Sequence, residues 1–138
     1  SGLAWFASPE GGDFPSELAN QGALNVLMQA QHPPNLDEVK KWVRYLASPE
    51  GGNFDYEQAN REALKPVVGT SSPPSLEDVK KWARYLASPE GGDMTYEEAN
   101  LEAMQFLLKN PDPPHLDDVK KWVRYFVSSE GGELHKNV

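Results

Sequence analysis

Between residues 36 and 46 the apolar positions are Leu36, Val39, Trp42, Val43 and Leu46, with Asp37, Lys40, Lys41 and Arg44 falling between them. At 100° per residue the apolar set covers an arc of about 120° and the charges lie opposite, which predicts one amphipathic helix. Tyr45 flanks that arc. The helix should stop at Ser48-Pro49-Glu50-Gly51-Gly52, because proline cannot continue it and glycine supplies left-handed backbone. A second amphipathic pattern follows such a stop, clearest at Tyr96, Ala99, Ala103, Phe106 and Leu107. Alanine recurs there at a spacing of four, in Ala19/Ala23, Ala59/Ala63 and Ala99/Ala103, which lets another helix approach closely.

The pattern repeats. VKKWVRYLASPEGG at 39–52 returns as VKKWARYLASPEGG at 79–92 and VKKWVRYFVSSEGG at 119–132, and ASPEGG at 7–12 marks an earlier copy. The period is 40 residues without insertion or deletion, and residues 33–72 match 73–112 at 22 of 40 positions. The chain therefore divides into a partial repeat 1–32, repeats 33–72 and 73–112, and a partial repeat 113–138. Neither end reads as a polar capping unit, so the expectation is an excerpt of a longer array or a swapped-register module. The fold class this predicts is all-α, with tandem 40-residue helix–loop–helix repeats packed as a short α-solenoid or helical bundle. Main helices are expected near 16–30, 36–47, 56–68, 76–87, 96–108 and 116–127, with a remnant helix at 3–7.

Local signals refine the limits. Asn35 and Ser75 are good N-cap residues, His115 a poorer one, and Thr95 with Glu98 and Asp55 with Gln58 form capping-box pairs. Pro66 should kink or shorten its helix. The series Trp42, Trp82 and Trp122 lies on the core arc, so burial is expected for all three, with the central Trp82 carrying most stability. Asn20, Asn60 and Asn100 face inward or nearly so, and a buried amide must find partners. The carbonyls of the SPEGG loops are the nearest candidates.

The loop carries two resemblances. Its Leu-Ala-Ser-x-x-Gly-Gly core resembles, over about six residues per unit, the base-reading loop of transcription activator-like effector repeats. Those repeats are shorter and place basic or amide groups after the glycines, where this chain has Asp13, Asn53 and Asp93. With Ala87 as loop position one, Gly92 at six, Met94 at eight, Thr95 at nine and Glu98 at twelve, the segment also resembles an EF-hand. That likeness raises the expectation of a short strand bridge near Phe14, Phe54 or Met94. Positions one, three and five are Ala87, Pro89 and Gly91, and position twelve is Leu18, Gln58, Glu98 and Val138 in the four copies. Calcium needs oxygen ligands there, so no calcium site is expected, and the loop reads as a helix stop followed by a helix start.

Charge changes the picture most. The chain of 138 residues has a net charge of −8, which argues against general nucleic-acid binding. Lys40, Lys41 and Arg44, with their copies Lys80, Lys81, Arg84 and Lys120, Lys121, Arg124, nevertheless form a periodic basic ridge. Together with the loop glutamates Glu50 and Glu90, these are the candidate partner-binding residues. They point to a protein partner with clustered acidic groups. Local salt bridges to Asp37, Glu77 and Asp117, three and four residues upstream, are the alternative use of the same lysines.

Catalysis has no support in the residues. His32, His115 and His135 occupy non-equivalent positions, and neither a Ser/His/Asp set, a metal-ligand spacing nor a phosphate loop occurs. No catalytic residue, cofactor or metal is expected, and zero cysteines exclude disulfides and thiolate sites. No run of residues is apolar enough for a membrane span. No signal-peptide pattern opens the chain, which tilts the expected location toward the cell interior without fixing it. The function expected is a non-catalytic protein-interaction or scaffolding module. The alternative is a repeat module binding a polymer, nucleic acid or cell-wall glycan, through the Lys-Lys-Trp-x-Arg ridge.

Overall fold

The computed structural model describes residues 2–29, 35–68, 70 and 72–131. The Pro33-Pro34 connector, His32, His135 and Val138 lie outside the described residues. The described chain is all-helical: α1 (Gly2–Ala7), α2 (Ser16–Gln29), α3 (Leu36–Ala47), α4 (Tyr56–Val68), α5 (Leu76–Ala87), α6 (Tyr96–Lys109) and α7 (Leu116–Val127). The helices pack in chain order across the SPEGG loops, α1 on α2, α3 on α4 and α5 on α6.

The starts follow the caps. Asn35 accepts from the Asp37 backbone N–H at 2.9 Å and Asp55 from that of Gln58 at 2.8 Å. Ser75 and Thr95 accept from the N–H groups of Asp78 and Glu98, each at 3.1 Å. His115 makes no side-chain cap bond. Each α3-type helix stops when Ser48, Ser88 or Ser128 closes a backbone bond to Tyr45, Tyr85 or Tyr125 at 3.0 Å. The loop then turns through Gly12, Gly52 and Gly92 at φ 106°, 115° and 123°, followed by Asp13, Asn53 and Asp93 at φ 54–56°. Only glycine takes the first conformation freely, and Asp and Asn are the side chains that tolerate the second.

No strand occurs among the described residues. The bridge expected near Phe14, Phe54 and Met94 is replaced by single backbone bonds. Their N–H groups donate to Phe6, Leu46 and Leu86 at 2.9, 3.0 and 3.0 Å. These bonds tie each loop back to the helix it leaves, and no second extended segment lies alongside. Pro66 does not end α4, which runs on to Val68 with the proline ring buried. It sits in the last turn, where few bonds remain to be lost.

The core runs through the α3–α4 and α5–α6 pairs. Val39, Trp42, Val43 and Leu46 of α3 are at most 3% exposed, and Ala59, Ala63, Ala99 and Ala103 are fully buried. The tryptophan series departs from expectation. Trp42 is 2% exposed and Trp82 half-buried against Phe106, whereas Trp122 is 61% exposed. Trp42 rather than Trp82 is thus the most enclosed copy. Trp122 lies on a helix, α7, of which no residue is buried.

Candidate functional site

The basic ridge does not stand apart from the packing. Where the α1–α2 pair meets the α3–α4 pair, the Arg44 guanidinium reaches the Glu10 carboxylate with two bonds of 3.1 and 3.2 Å. Four residues earlier, the Lys40 ammonium sits 5.3 Å from the centre of the Trp5 ring. The same contacts recur 40 residues on. Arg84 meets Glu50 at 2.6 Å and Lys80 lies 5.2 Å from the Tyr45 ring. They recur again at Arg124 and Glu90, 2.9 Å, and at Lys120 and Tyr85, 5.6 Å. Each α3-type helix therefore lays its Lys and Arg onto the aromatic and the glutamate of the helix and loop before it.

Below this charged layer lies a polar bracket. Asn60 is 1% exposed. Its Nδ2 donates to the Glu10 carbonyl at 2.9 Å and to the Tyr56 carbonyl at 2.7 Å, and its Oδ1 accepts from the Trp5 indole at 2.7 Å. Asn100 repeats the donor half, with bonds of 3.0 Å to the Glu50 carbonyl and 2.7 Å to the Tyr96 carbonyl. The SPEGG carbonyls are partners of Asn60 and Asn100, as expected, but Asn20, the third residue expected to face inward, is exposed. The acceptor half differs. Tyr45 stands where Trp5 stands, and its buried hydroxyl and Asn100 Oδ1 make no hydrogen bond, although the Asn100 side chain lies near enough to act on the phenol. Gly52 closes the same seam, since a Cβ there would come within 2.9 Å of the Glu97 Cα on α6.

Titration follows this geometry. The hydrogen bond from Arg44 holds the Glu10 carboxyl below its usual range, and Glu10 and Glu50 raise the guanidinium of Arg44 and Arg84 respectively. Burial, with the Glu50 charge beside it, pushes the Tyr45 phenol up to about 12. The arginine side chains remain 56–62% exposed, so solvent screens these pairs and each contributes little. Their role is register. The buried asparagine bonds carry more, because a stranded buried donor or acceptor costs about 1–3 kcal/mol.

The candidate residues thus divide. Lys40, Arg44, Lys80, Arg84, Lys120, Arg124, Glu50 and Glu90 all take part in contacts between successive helix pairs or with α7. Lys41, Lys81 and Lys121 form an exposed row beside them. Lys41 pairs with Glu38 at 3.3 Å, while Lys81 and Lys121 make no ion pair among the described residues. The local alternative is realised at Lys80, which also reaches Glu77 at 3.5 Å. Between α5 and α7 the ridge borders an open groove of about 590 Å³, lined by Lys81, Arg84, Tyr85, Glu90, Lys120 and Arg124 among others.

Sequence reasoning placed neither Trp5 nor Glu10 in this arrangement. The available signal was an aromatic at the 40-residue step, Trp5, Tyr45, Tyr85 and Tyr125, just beside the core arc. Among the described residues no three His, Cys, Asp or Glu side chains gather as a metal site, and no helix is long and apolar enough to cross a membrane. In comparisons with known proteins, the chain matches no family model, no curated sequence and no solved structure.

Proposed function

We propose that the chain is a tandem array of 40-residue helix–loop–helix units, a short α-solenoid, acting as a non-catalytic protein-interaction or scaffolding module. The observation that carries this reading is one set of contacts built repeatedly: Glu10–Arg44, Glu50–Arg84 and Glu90–Arg124, each with its Lys over an aromatic. A seam that regenerates its own acceptor half at every step extends indefinitely, and stacked units offer a long surface suited to multivalent contact.

The exposed lysine row, Lys41, Lys81 and Lys121, recurs along that surface outside the seams. A protein partner with acidic groups clustered at a matching step complements it, and such complementarity mainly sets specificity and on-rate. The seam residues Glu50, Glu90 and the arginines then act indirectly, by fixing the spacing of the row. The polymer alternative has less support. A glycan platform needs an exposed tryptophan in each unit, and Trp42 is 2% exposed.

The test uses poly-L-glutamate as the probe, titrated into the full chain at about 50 and 200 mM salt. Binding should weaken with salt. The combined Lys41→Glu, Lys81→Glu and Lys121→Glu variant should nearly abolish it, and any one reversal should weaken it moderately. Unchanged affinity in the folded triple variant removes the row as the partner surface.

A further inference from the structure

The helices α3, α5 and α7 carry the same basic ridge, but the few residues that differ beside it change how its lysines are held. In α3, Lys41 pairs with Glu38 at 3.3 Å. On α5 the residue three before Lys81 is Asp78, one methylene shorter, and Lys81 makes no ion pair among the described residues. Lys80 reaches Glu77 at 3.5 Å. Its copy Lys120 has the shorter Asp117 in that place and lies instead against the Tyr85 ring, 5.6 Å from its centre. Asn35 and Ser75 use their side chains to cap α3 and α5, whereas His115 makes no side-chain cap bond.

The three released groups, Lys81, Lys120 and His115, line the same groove of about 590 Å³ between α5 and α7. That volume lies within the range of ligand pockets, about 300–1,000 Å³. The arginines bordering the groove are already held, Arg84 by Glu50 at 2.6 Å and Arg124 by Glu90 at 2.9 Å. Asp117 is the one lining carboxylate without an ion pair among the described residues. With His115 neutral, four lining cations stand against the two carboxylates Glu90 and Asp117, an excess of positive charge on a chain whose net charge is −8. The groove is not open merely because of where the helices stop. The same ridge on α3, with helices before and after it, leaves Lys41 and Arg44 exposed.

We infer that the groove between α5 and α7 is a binding site for an acidic peptide segment of a partner protein, with Lys81 and Lys120 receiving its carboxylates and the His115 ring N–H donating to it. This rests on the interaction-module reading and gives the acidic partner one seat rather than three equal ones. Lysine suits the task, since an ammonium on a flexible stem takes a carboxylate without demanding a fixed fork. Charge complementarity of this kind decides which partner is held. A peptide fits better than a nucleic acid. A short acidic segment can end at the rim, whereas a continuous phosphate backbone would run on over a net-negative surface.

The experiment titrates the full chain into a fluorescein-labelled hexaglutamate peptide at about 50 mM salt, following anisotropy. Saturable one-to-one binding is expected. Lys81→Met and Lys120→Met keep the apolar stem and remove the charge, and each should weaken binding by about two- to fivefold. Lys41→Met, the same change at the equivalent place on α3, should leave it unchanged, because Glu38 already holds that lysine. Asp78→Glu, which restores the acid found beside Lys41, should weaken binding, and Asp117→Asn should tighten it. His115→Ser installs the capping residue of the preceding copy, so it should weaken binding while circular dichroism shows the helices intact. Equal losses from Lys41→Met and Lys81→Met would overturn the groove and leave the lysine row standing. So would binding of poly-L-glutamate with none of hexaglutamate, while failure of both probes would remove the row as well. Affinity unchanged in the folded Lys81→Met/Lys120→Met variant would also overturn the site, and a hexathymidylate bound more tightly than hexaglutamate would overturn its assignment to a peptide.

Discussion

Residues 39–45 and 119–125 are the same seven amino acids, Val-Lys-Lys-Trp-Val-Arg-Tyr, in the same helical conformation. In α3 they bury Val39, Trp42 and Val43 almost completely, and in α7 they bury nothing. The charged contacts survive the difference, since Arg44 holds Glu10 and Arg124 holds Glu90. Helix formation and the backward-facing ion pair are therefore properties of the segment and its predecessor. Burial in α3 and α5 comes with the packing of α4 and α6 against them. Amphipathic pattern states which face wants cover, and only the neighbour decides whether it is covered.

The largest test of that contrast is a pair of truncations. Trp42→Ala should destabilise the fold by about 3–5 kcal/mol, through lost transfer energy plus a cavity. Trp122→Ala, at an exposed position, should change it by less than about 0.5 kcal/mol. Urea denaturation of both variants measures the difference directly. Equal effects would mean that α7 is covered in solution as α3 is.

How much of this was readable beforehand follows the same division. The helix limits were legible because their determinants are local. Asn35, Ser75, Asp55 and Thr95 cap the starts, and Ser-Pro-Glu-Gly-Gly stops the helices before. The asparagine bracket was legible at Asn60 and Asn100, since an inward amide near a loop of free carbonyls has few other partners, but not at Asn20, which is exposed. The seam was not. Arg44 and Glu10 lie 34 residues apart and Trp5 and Asn60 lie 55 apart, and a perfect period offers every arginine several equivalent glutamates. Periodicity also hid the exposure of Trp122, because copies of one sequence do not reveal which of them is covered.

A smaller contrast separates the two asparagines. Asn60 satisfies the Trp5 indole and the Glu10 carbonyl, while Asn100 satisfies the Glu50 carbonyl and leaves its own Oδ1 unused. Asn60→Ala strands one more buried group than Asn100→Ala. Both should destabilise by about 1–3 kcal/mol, with Asn60→Ala at the upper end. A double-mutant cycle of Asn60→Ala with Trp5→Phe should show coupling, and Asn100→Ala with Tyr45→Phe should show much less.

Smaller still is the difference between two glycines that share a backbone conformation. Gly52 and Gly92 have φ of 115° and 123°, so alanine is strained at either. A Cβ at Gly52 would lie 2.9 Å from Glu97 Cα, and one at Gly92 would meet nothing within 4 Å. Gly92→Ala should therefore cost only the backbone strain, about 1–2 kcal/mol. Gly52→Ala should cost more, because α6 must also move. Comparable unfolding midpoints for the two would show that the α5–α6 pair sits farther from the loop than the structure places it.

The finest contrast is chemical, between Trp5 and Tyr45 at equivalent places in successive seams. An indole cannot ionise, but the Tyr45 phenol can, and its pKa rises from 10.0 to about 12 on folding because burial and the Glu50 charge disfavour the phenolate. A folded value above the unfolded one means that the phenol favours the folded state fully below pH 10.0. That contribution is lost as pH rises from 10.0 through about 12. The Tyr85 phenol is raised by burial as well, so it should add a smaller loss in the same direction. Urea midpoints measured across this range should therefore fall with pH in the native chain. The fall should be reduced in Tyr45→Phe and nearly absent in Tyr45→Phe/Tyr85→Phe, while Trp5→Phe should leave it unchanged. An alkaline loss that persists in the double variant would assign it to groups other than the seam tyrosines and remove the chemical distinction between the two seams.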